Sequence, residues 1–136
     1  MKSVAVFSAV NRGLYRATGG KLGGSMKGAP ILLLTTTGRK SGKQRTTPLL
    51  FLRDGEALAV VASEGGAPSH PAWFLNLEAD PQVEIEIGRE HERRRAREAT
   101  PEERGRLWPL LVQLYPPYAS YQQKTTRTIP VVLLER

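Results

Sequence analysis

The sequence contains no cysteine among its 136 residues. This absence excludes disulfide bonds, cysteine-ligated zinc or iron–sulfur sites and thiol nucleophiles, and it agrees with a reducing, cytoplasmic location. No apolar run reaches the roughly 18 residues that a membrane-spanning helix needs. The two histidines, His70 and His91, stand far apart with no neighbouring ligand pattern. We therefore expect no metal site.

Acidic residues are missing from the first part of the chain. Residues 1–53 contain ten Lys or Arg and no Asp or Glu, whereas residues 54–136 contain ten basic and thirteen acidic residues. The formal charge is therefore +10 in the first segment, −3 in the second and +7 overall. This imbalance favours binding to an anion, and ordinary solvated lysine and arginine side chains are the alternative interpretation.

The length indicates one compact domain preceded by a short arm. At roughly 100–200 residues per domain, the chain has room for a single core. We assign residues 1–27 to an N-terminal amphipathic arm with a Gly-rich loop, and residues 28–136 to the main domain. The arm is predicted to begin with a cationic amphipathic helix over residues 3–18, which can pack on the domain or lie on a membrane surface.

Hydrophobic periodicity and turn residues predict short strands interrupted by three helical segments in the main domain. The predicted strands cover residues 31–37, 46–53, 57–63, 83–87, 91–99 and 129–134. The predicted helices run from Pro71 to Asp80, from Thr100 to Leu114, and over a short stretch that ends at Lys124.

Two local features refine this prediction. Thr100 and Glu103 have the spacing of a capping box at a helix start, and Pro109 is expected to kink or shorten the helix that follows. Hairpin-length connections outnumber crossovers. We therefore predict an α+β fold with a mainly antiparallel sheet that can close into a small barrel.

A basic, glycine-containing loop follows the first predicted strand of the domain. Residues 38–45 contain Arg39, Lys40, Lys43 and Arg45 together with Ser41 and two glycines. Guanidinium forks, exposed backbone N–H groups and a hydroxyl suit phosphate or carboxylate. The pattern is not a P-loop, and a hairpin tip with solvated cations is the alternative.

Three tyrosines recur every third residue near the end of the chain: Tyr115, Tyr118 and Tyr121. On a helix-like backbone their hydroxyls can face one side and line an apolar pocket as hydrogen-bond donors. A helix that simply covers the core would show the same spacing.

Several motifs follow one another along the main domain: Thr35-Thr-Thr-Gly-Arg-Lys-Ser-Gly42, Pro48-Leu49, Ala62-Ser63 with Gly65-Gly66, Trp73-Phe-Leu-Asn-Leu77, Pro81 and Arg127-Thr-Ile-Pro130. In this order they resemble the motifs of the deazaflavin-dependent nitroreductases and F420H2-dependent quinone reductases of actinobacteria. The resemblance covers about residues 30–136. It implies a split β-barrel with flanking helices that binds reduced coenzyme F420, a deazaflavin with a phosphodiester and a polyglutamate tail.

The resemblance also implies roles for particular residues. Arg39, Lys40 and Ser41 would hold the tail or phosphate, and residues at the start of the second helix would offer backbone N–H groups to phosphate. The implied cofactor-binding set is Arg39, Lys40, Ser41, Arg45, Thr46, Thr47, Pro48, Leu49, Leu50, Val61, Ala62, Ser63, Ala72, Trp73, Phe74, Leu75, Asn76 and Tyr118. Glu64 departs from this pattern, because a basic residue would suit the anionic tail better.

The implied reaction is a hydride transfer from the reduced deazaflavin to a small electron-poor acceptor: a quinone, an activated alkene or a nitroaromatic. The implied active-site residues are Tyr115, Tyr118, Tyr121 and Ser63, with a tyrosine hydroxyl stabilising or protonating the oxyanion that forms. A basic barrel that binds nucleic acid and a split barrel that uses flavin mononucleotide (FMN) are the alternatives.

We expect a monomer or weak dimer that binds no nucleic acid. The expected location is the cytoplasm. The cationic, amphipathic arm over residues 1–18 also permits peripheral contact with the inner face of the membrane, where quinones reside.

Overall fold

The computed structural model describes residues 25–26 and 29–136. They form eight strands and three α-helices, with one short 3₁₀ turn at Glu64–Gly66. The strands are β1 (Ser25–Met26), β2 (Ala29–Thr37), β3 (Gln44–Leu50), β4 (Leu52–Asp54), β5 (Ala57–Val61), β6 (Gln82–Ile87), β7 (Glu90–Glu98) and β8 (Val131–Glu135). The helices are α1 (Ala72–Ala79), α2 (Pro101–Leu114) and α3 (Pro117–Gln123).

The strands form one mainly antiparallel sheet, as predicted. The order along the sheet is β1-β2-β6-β7-β8-β5-β4, and β3 pairs with the other side of β2. β3 and β4 therefore lie at opposite ends of the ladder although only Phe51 separates them in the chain. The Phe51 N–H donates to the Pro30 carbonyl at 3.1 Å, which bends the chain between the two edges.

The predicted closure into a barrel is wrong for the described strands, because no ladder joins β3 to β4. β3 and β4 are consecutive in the chain, which bends between them at Phe51. The chain itself therefore connects these two edges of the sheet, and no ladder of hydrogen bonds joins them. Hydrophobic periodicity predicts which residues are buried but not whether the last pair of strands meets.

The sheet is buried on both faces, and the alternation along its central strands shows this directly. Ile31 and Leu33 of β2 belong to one apolar cluster, whereas Leu32 and Leu34 belong to the other. β5 and β8 alternate in the same way. These strands consequently read as continuous apolar runs rather than alternating ones.

The helices divide between the two faces. Trp73, Phe74 and Leu77 of α1 pack in the cluster with Leu32 and Leu34, which we call the α1-side cluster. α2 and α3 supply a second set of buried residues to the cluster with Ile31 and Leu33, the α2–α3-side cluster: Leu107, Leu111 and Tyr118. The helix α1 covers one face and the pair α2–α3 covers the other.

The start of α2 confirms the predicted capping box. The Thr100 hydroxyl accepts from the Glu103 N–H at 3.2 Å, and the Glu103 carboxylate accepts from the Thr100 N–H at 2.9 Å. Pro109 does not shorten the helix, which continues to Leu114. Proline removes a single i→i−4 hydrogen bond, and the apolar packing of Leu107 and Leu111 spans this position.

Two predictions concern the N-terminal arm over residues 1–27. The predicted helix over residues 3–18 lies outside the described residues. Within the predicted Gly-rich loop, Ser25–Met26 forms β1, which pairs with Ala29 and Pro30. This short pairing depends on a neighbouring strand, and for that reason local glycine content did not predict it.

Candidate active site

A cleft opens beside the β2–β3 hairpin, between its tip and the first turns of α1. Its volume is about 660 Å³. Its lining residues are Gly38, Arg39, Lys40, Ser41, Gln44, Arg45, Thr46, Thr47, Ala72, Trp73 and Asn76. Three of them are cations and none is acidic. We call this the cationic cleft.

The hairpin tip owes its shape to glycine and to short-range hydrogen bonds. The Gly38 N–H donates to the Lys43 carbonyl at 2.7 Å, and the Gly42 N–H donates to the Gly38 carbonyl at 2.8 Å. Gly42 has a φ of +72°, in the left-handed region that glycine adopts without strain. The Ser41 hydroxyl accepts from the Lys43 N–H at 3.1 Å, which leaves its own proton available to a ligand.

Asn76 of α1 fixes the hairpin against the helix. Its side-chain oxygen accepts from the Arg39 backbone N–H at 3.2 Å and from Arg39 Nη1 at 2.9 Å, while its Nδ2 donates to the Thr36 hydroxyl at 3.3 Å. Asn76 is 4% exposed. Because its oxygen is neutral, Arg39 is oriented without being neutralised, and the positive charge remains available in the cleft.

The start of α1 adds to the positive potential of the cleft. The helix begins after Pro71, no side chain caps it, and its first turn contains no acidic residue. Ala72, at its first position, is exposed and lines the cleft. A helix N-terminus carries a partial positive charge and unpaired N–H groups, and it is therefore suited to a phosphate.

The tyrosines form a compact aromatic group on the opposite face of the sheet. The ring centroids of Tyr115 and Tyr118 lie 5.0 Å apart, and those of Tyr118 and Tyr121 lie 6.3 Å apart. The hydroxyls of Tyr115 and Tyr121 lie 3.4 Å apart. Tyr115 and Tyr118 are buried in the α2–α3-side cluster. The tyrosine rings therefore contribute to the core, and the same side chains carry hydroxyls that can donate hydrogen bonds.

Burial changes the acidity of the central tyrosine. Tyr118 is 5% exposed, and this burial, assisted by the neighbouring Tyr115 and Tyr121, raises the pKa of its hydroxyl well above the usual value. At neutral pH Tyr118 is therefore a protonated hydrogen-bond donor.

Gly66 brings Ser63 and the tyrosine helix together. Its φ is +84°, and a Cβ at this position would lie 2.6 Å from the Tyr121 carbonyl oxygen. Only glycine permits this close approach between the Glu64–Gly66 turn and α3. Ser63, half-buried, immediately precedes the turn.

The cleft and the tyrosine group are separate, but both are contacted by residues of β3. Thr46 and Thr47 line the cleft, whereas Leu50 packs with the tyrosines and Leu49 packs against the α1-side cluster. Val61 of β5 also lies in the α2–α3-side cluster. Pro48 and Leu75 are half-buried.

Two residues of the implied cofactor set are deeply buried. Ala62 is fully buried, its N–H donates to the Pro130 carbonyl at 3.0 Å, and its carbonyl accepts from Arg127 Nη1 at 3.2 Å. Phe74 is 2% exposed and packs in the α1-side cluster. Both residues therefore lie in the interior of the protein, where they support the site by packing and by backbone hydrogen bonds.

Sequence reasoning missed the contacts of Arg127. Its guanidinium donates to the carbonyls of Ala62, Ser63 and Ala67 and to the ring of His70. The sequence signal was its place in the Arg127-Thr-Ile-Pro130 motif, but a motif does not show which loop an arginine reaches across the fold.

Among residues 25–26 and 29–136, no group of three or more His, Cys, Asp or Glu side chains could hold a metal ion. In the same part of the chain no helix combines the length and apolar character required to cross a bilayer. His70 contacts Arg127, and His91 lies 3.8 Å from Glu86.

A cationic cleft beside the start of α1 is suited to an anionic ligand. Comparison with known proteins identifies the class of protein to which the chain belongs. The chain belongs to the F420H(2)-dependent quinone reductase family, whose model matches residues 8–136. It is therefore an F420H2-dependent oxidoreductase with coenzyme F420 as its cofactor.

Individual relatives agree with this assignment. F420H(2)-dependent quinone reductase Rv1261c of Mycobacterium tuberculosis (strain H37Rv) is 43% identical over 127 residues, covering 90% of this chain and 85% of that protein. The solved structure of an F420-H2 dependent reductase, FDR-A, is 50% identical with a TM-score of 0.72 and covers 78% of this chain and 94% of its own. A solved domain-swapped dimer is 43% identical with a TM-score of 0.74 and covers 99% and 100%.

Proposed function

We propose that the acceptor of this enzyme is a quinone, that the cationic cleft holds the anionic part of F420, and that the tyrosine group faces the acceptor. The observation that carries this proposal is the composition of the cleft: three cations and no acid around a free helix start. The quinone specificity is supported by the family and by the relative Rv1261c, which is named an F420H(2)-dependent quinone reductase.

The donor set of the cleft fits the cofactor. Arg39, Lys40 and Arg45 would pair with phosphate or carboxylate oxygens, the Ser41 and Thr47 hydroxyls would donate to them, and Ala72 would present backbone N–H groups of α1. When bound, reduced F420 supplies the hydride. The protein binds the tail, orients the ring relative to the acceptor and excludes water.

The tyrosines would complete the reduction of the acceptor. Addition of a hydride to a quinone leaves a negative charge on a carbonyl oxygen, and one proton on that oxygen completes the two-electron reduction to the hydroquinone. Tyr118 remains protonated at neutral pH and would donate a hydrogen bond to this oxygen. Tyr121 beside it, which is half-buried, would supply the proton and regain one from solvent.

The first test is a titration of the protein with oxidised F420, followed by tryptophan fluorescence, with FMN as the control ligand. Trp73 lines the cleft and would report binding there. Micromolar or tighter binding of F420 and none of FMN is the expected result. Binding of FMN alone would favour the flavin alternative, and binding of neither would favour the nucleic-acid alternative.

The acceptor side is tested separately by steady-state kinetics with F420H2 and a soluble quinone. Tyr118→Phe and Tyr121→Phe are expected to lower turnover, by about 10²-fold when combined. Tyr121→Phe, which lies outside the implied cofactor-binding set, is expected to leave the Kd for F420 unchanged. Unchanged turnover in both single variants and the double variant, with quinone, activated alkene and nitroaromatic acceptors, would remove the tyrosines from the mechanism.

Two further properties belong to the proposal. The domain-swapped relative favours a weak dimer, which sedimentation at several protein concentrations would detect. Membrane contact through residues 1–18 is tested by co-sedimentation with vesicles, comparing the full chain with a chain that lacks residues 1–27. Equal pelleting of the two would exclude the arm as an anchor.

A further inference from the structure

The Arg127 guanidinium makes four polar contacts with one loop. Its Nε donates to the Ala67 carbonyl at 2.8 Å, its Nη2 donates to the Ser63 carbonyl at 2.8 Å, and its Nη1 donates to the Ala62 carbonyl at 3.2 Å and contacts His70 Nδ1 at 3.1 Å. The acceptors span residues 62–70, so one guanidinium connects both ends of this loop. We call this arrangement the Arg127 clamp.

The clamp is held together by neutral acceptors. Three are backbone carbonyls and the fourth is an imidazole ring, so none of them balances the charge of Arg127. Partial burial lowers the pKa of the guanidinium, while the nearby Glu64 carboxylate opposes this shift. An arginine remains protonated in such a setting, and only a planar donor with several N–H groups can satisfy four acceptors at once.

The loop inside the clamp joins the two halves of the candidate site. It begins at the end of β5, where Ser63 precedes the turn that packs against α3. It ends at Pro71, where α1 starts and the cationic cleft begins. His70 also packs on Phe74 of α1, with ring centroids 4.8 Å apart.

We propose that Arg127 is a positioning residue, which fixes the loop over residues 62–70 and thereby sets Ser63 and the start of α1 in the arrangement that binds F420. The inference rests on the proposed function of the cleft. Arg127 acts through the loop, since its donors are directed at the loop carbonyls.

The contact with His70 extends the clamp to the residue before Pro71 and α1. An arginine only donates hydrogen bonds, so Nδ1 of His70 is the acceptor of this contact. Because the His70 ring also packs on Phe74, the clamp reaches the first turn of α1 through this side chain.

Hydrogen exchange in the cofactor-free protein tests the clamp itself. Arg127→Ala is expected to accelerate exchange of the Gly66 and Ala67 amides, which donate to the Ser63 and Glu64 carbonyls. Arg94→Ala is the matched control. Arg94 is also buried and donates to two backbone carbonyls, those of Glu56 and Leu134, outside the loop. Acceleration at the loop in both variants, or in neither, would overturn the clamp.

Cofactor affinity tests the consequence. Arg127→Ala is expected to raise the Kd for F420 by about ten-fold or more, at a temperature where the variant is folded. Arg127→Lys keeps the charge but loses the planar fork, and it is expected to bind F420 nearly as weakly as the alanine variant. Wild-type affinity in Arg127→Lys would show that the charge alone matters, and it would overturn the positioning role.

Failure of the proposed function and failure of the clamp give different results. If the wild type bound no F420 at all, the proposed function would fail, and loop exchange would still decide whether the clamp exists.

Discussion

Tyr118 shows at the scale of one residue how burial selects a chemical role. The same side chain at the surface would exchange hydrogen bonds with water, whereas here the surrounding apolar residues and two tyrosine rings keep it neutral. A neutral phenol is the form that can donate to a developing oxyanion. The burial that stabilises the fold thus also keeps the donor protonated.

The raised pKa of Tyr118 has a consequence for alkaline stability. Above the ordinary tyrosine pKa of about 10, the unfolded chain loses this proton while the folded chain keeps it. The free energy of unfolding therefore falls as the pH rises from that value toward the folded-state pKa. Tyr118→Phe removes this contribution, so its loss of stability between about pH 9 and about pH 11 should be smaller than that of the wild type. Urea unfolding at both pH values measures this, and parallel losses would contradict it.

The helices and turns act at the next scale by bringing residues into register. α1 aligns Asn76 with Arg39, and α3 sets the tyrosines next to the turn that follows Ser63. Neither contact is local in sequence. Each of the two contacts requires two elements to pack closely, and a specific residue makes this close packing possible.

Gly66 is the clearest case. Gly66→Ala would place a Cβ within 2.6 Å of the Tyr121 carbonyl in addition to straining a left-handed backbone, so we expect a loss of more than about 1 kcal/mol. Gly65→Ala is the matched control, because its φ is +63° but nothing lies within 4 Å of its added Cβ. Urea unfolding measures stability, and turnover reports displacement of α3. Equal losses of stability in the two variants would exclude the contact with α3 as the cause.

The start of α2 predicts acid sensitivity. Hydrogen bonds from Arg97 and from the Thr100 backbone lower the pKa of Glu103 to about 2. A carboxylate with a lowered folded-state pKa stabilises the fold above its unfolded value of about 4.5, and this contribution is lost as the pH falls from there toward 2. Glu103→Gln should therefore lower the Tm at pH 7 but differ little from the wild type near pH 2.

The control for this prediction is Glu102→Gln, which removes a neighbouring exposed carboxylate of the same turn. It should have a smaller effect on Tm at pH 7. A Tm difference between Glu103→Gln and the wild type that is the same at pH 7 and near pH 2 would show that the ionised carboxylate is not responsible.

At the scale of the whole molecule, charge is distributed unevenly in space as well as in sequence. The cations of residues 38–45 collect at one hairpin tip and meet the positive end of α1. Three arginines of β7 instead lie within ion-pair distance of carboxylates: Arg93, Arg94 and Arg97. The cations of the hairpin tip line the cleft, where we propose that the anionic ligand binds.

This distribution predicts a salt-dependent affinity for the cofactor. Arg39→Ala and Lys40→Ala should raise the Kd for F420, and the effect should be larger at low ionic strength, because salt screens exposed charges over a Debye length of about 10 Å at 0.1 M. Arg95→Ala, which removes an exposed cation on β7, should change the Kd little. Equal effects of all three substitutions would mean that net charge, not the cleft, governs binding.

Much of the architecture could be predicted because its signals are local. The strand over residues 31–37, the helix after Pro71 and the capping box at Thr100 each depend on neighbouring side chains. The cationic hairpin tip was also predictable, since Arg39, Lys40 and Arg45 lie close together in the chain, and the structure places all three along one cleft. The bend at Phe51 and the pairing of β1 were not, because they depend on strands far apart in sequence.

By itself, therefore, the sequence determined most of the strands and helices, the cationic hairpin and, through its motifs, the family. Only the tertiary structure decided that Asn76 orients Arg39, that Gly66 admits α3, and that Arg127 spans the loop from Ala62 to His70. The physical reason is distance along the chain. These contacts join residues 37 to 65 positions apart, whereas hydrophobic periodicity relates only residues within one helix or strand. Such contacts exist only once the sheet has set its strands side by side.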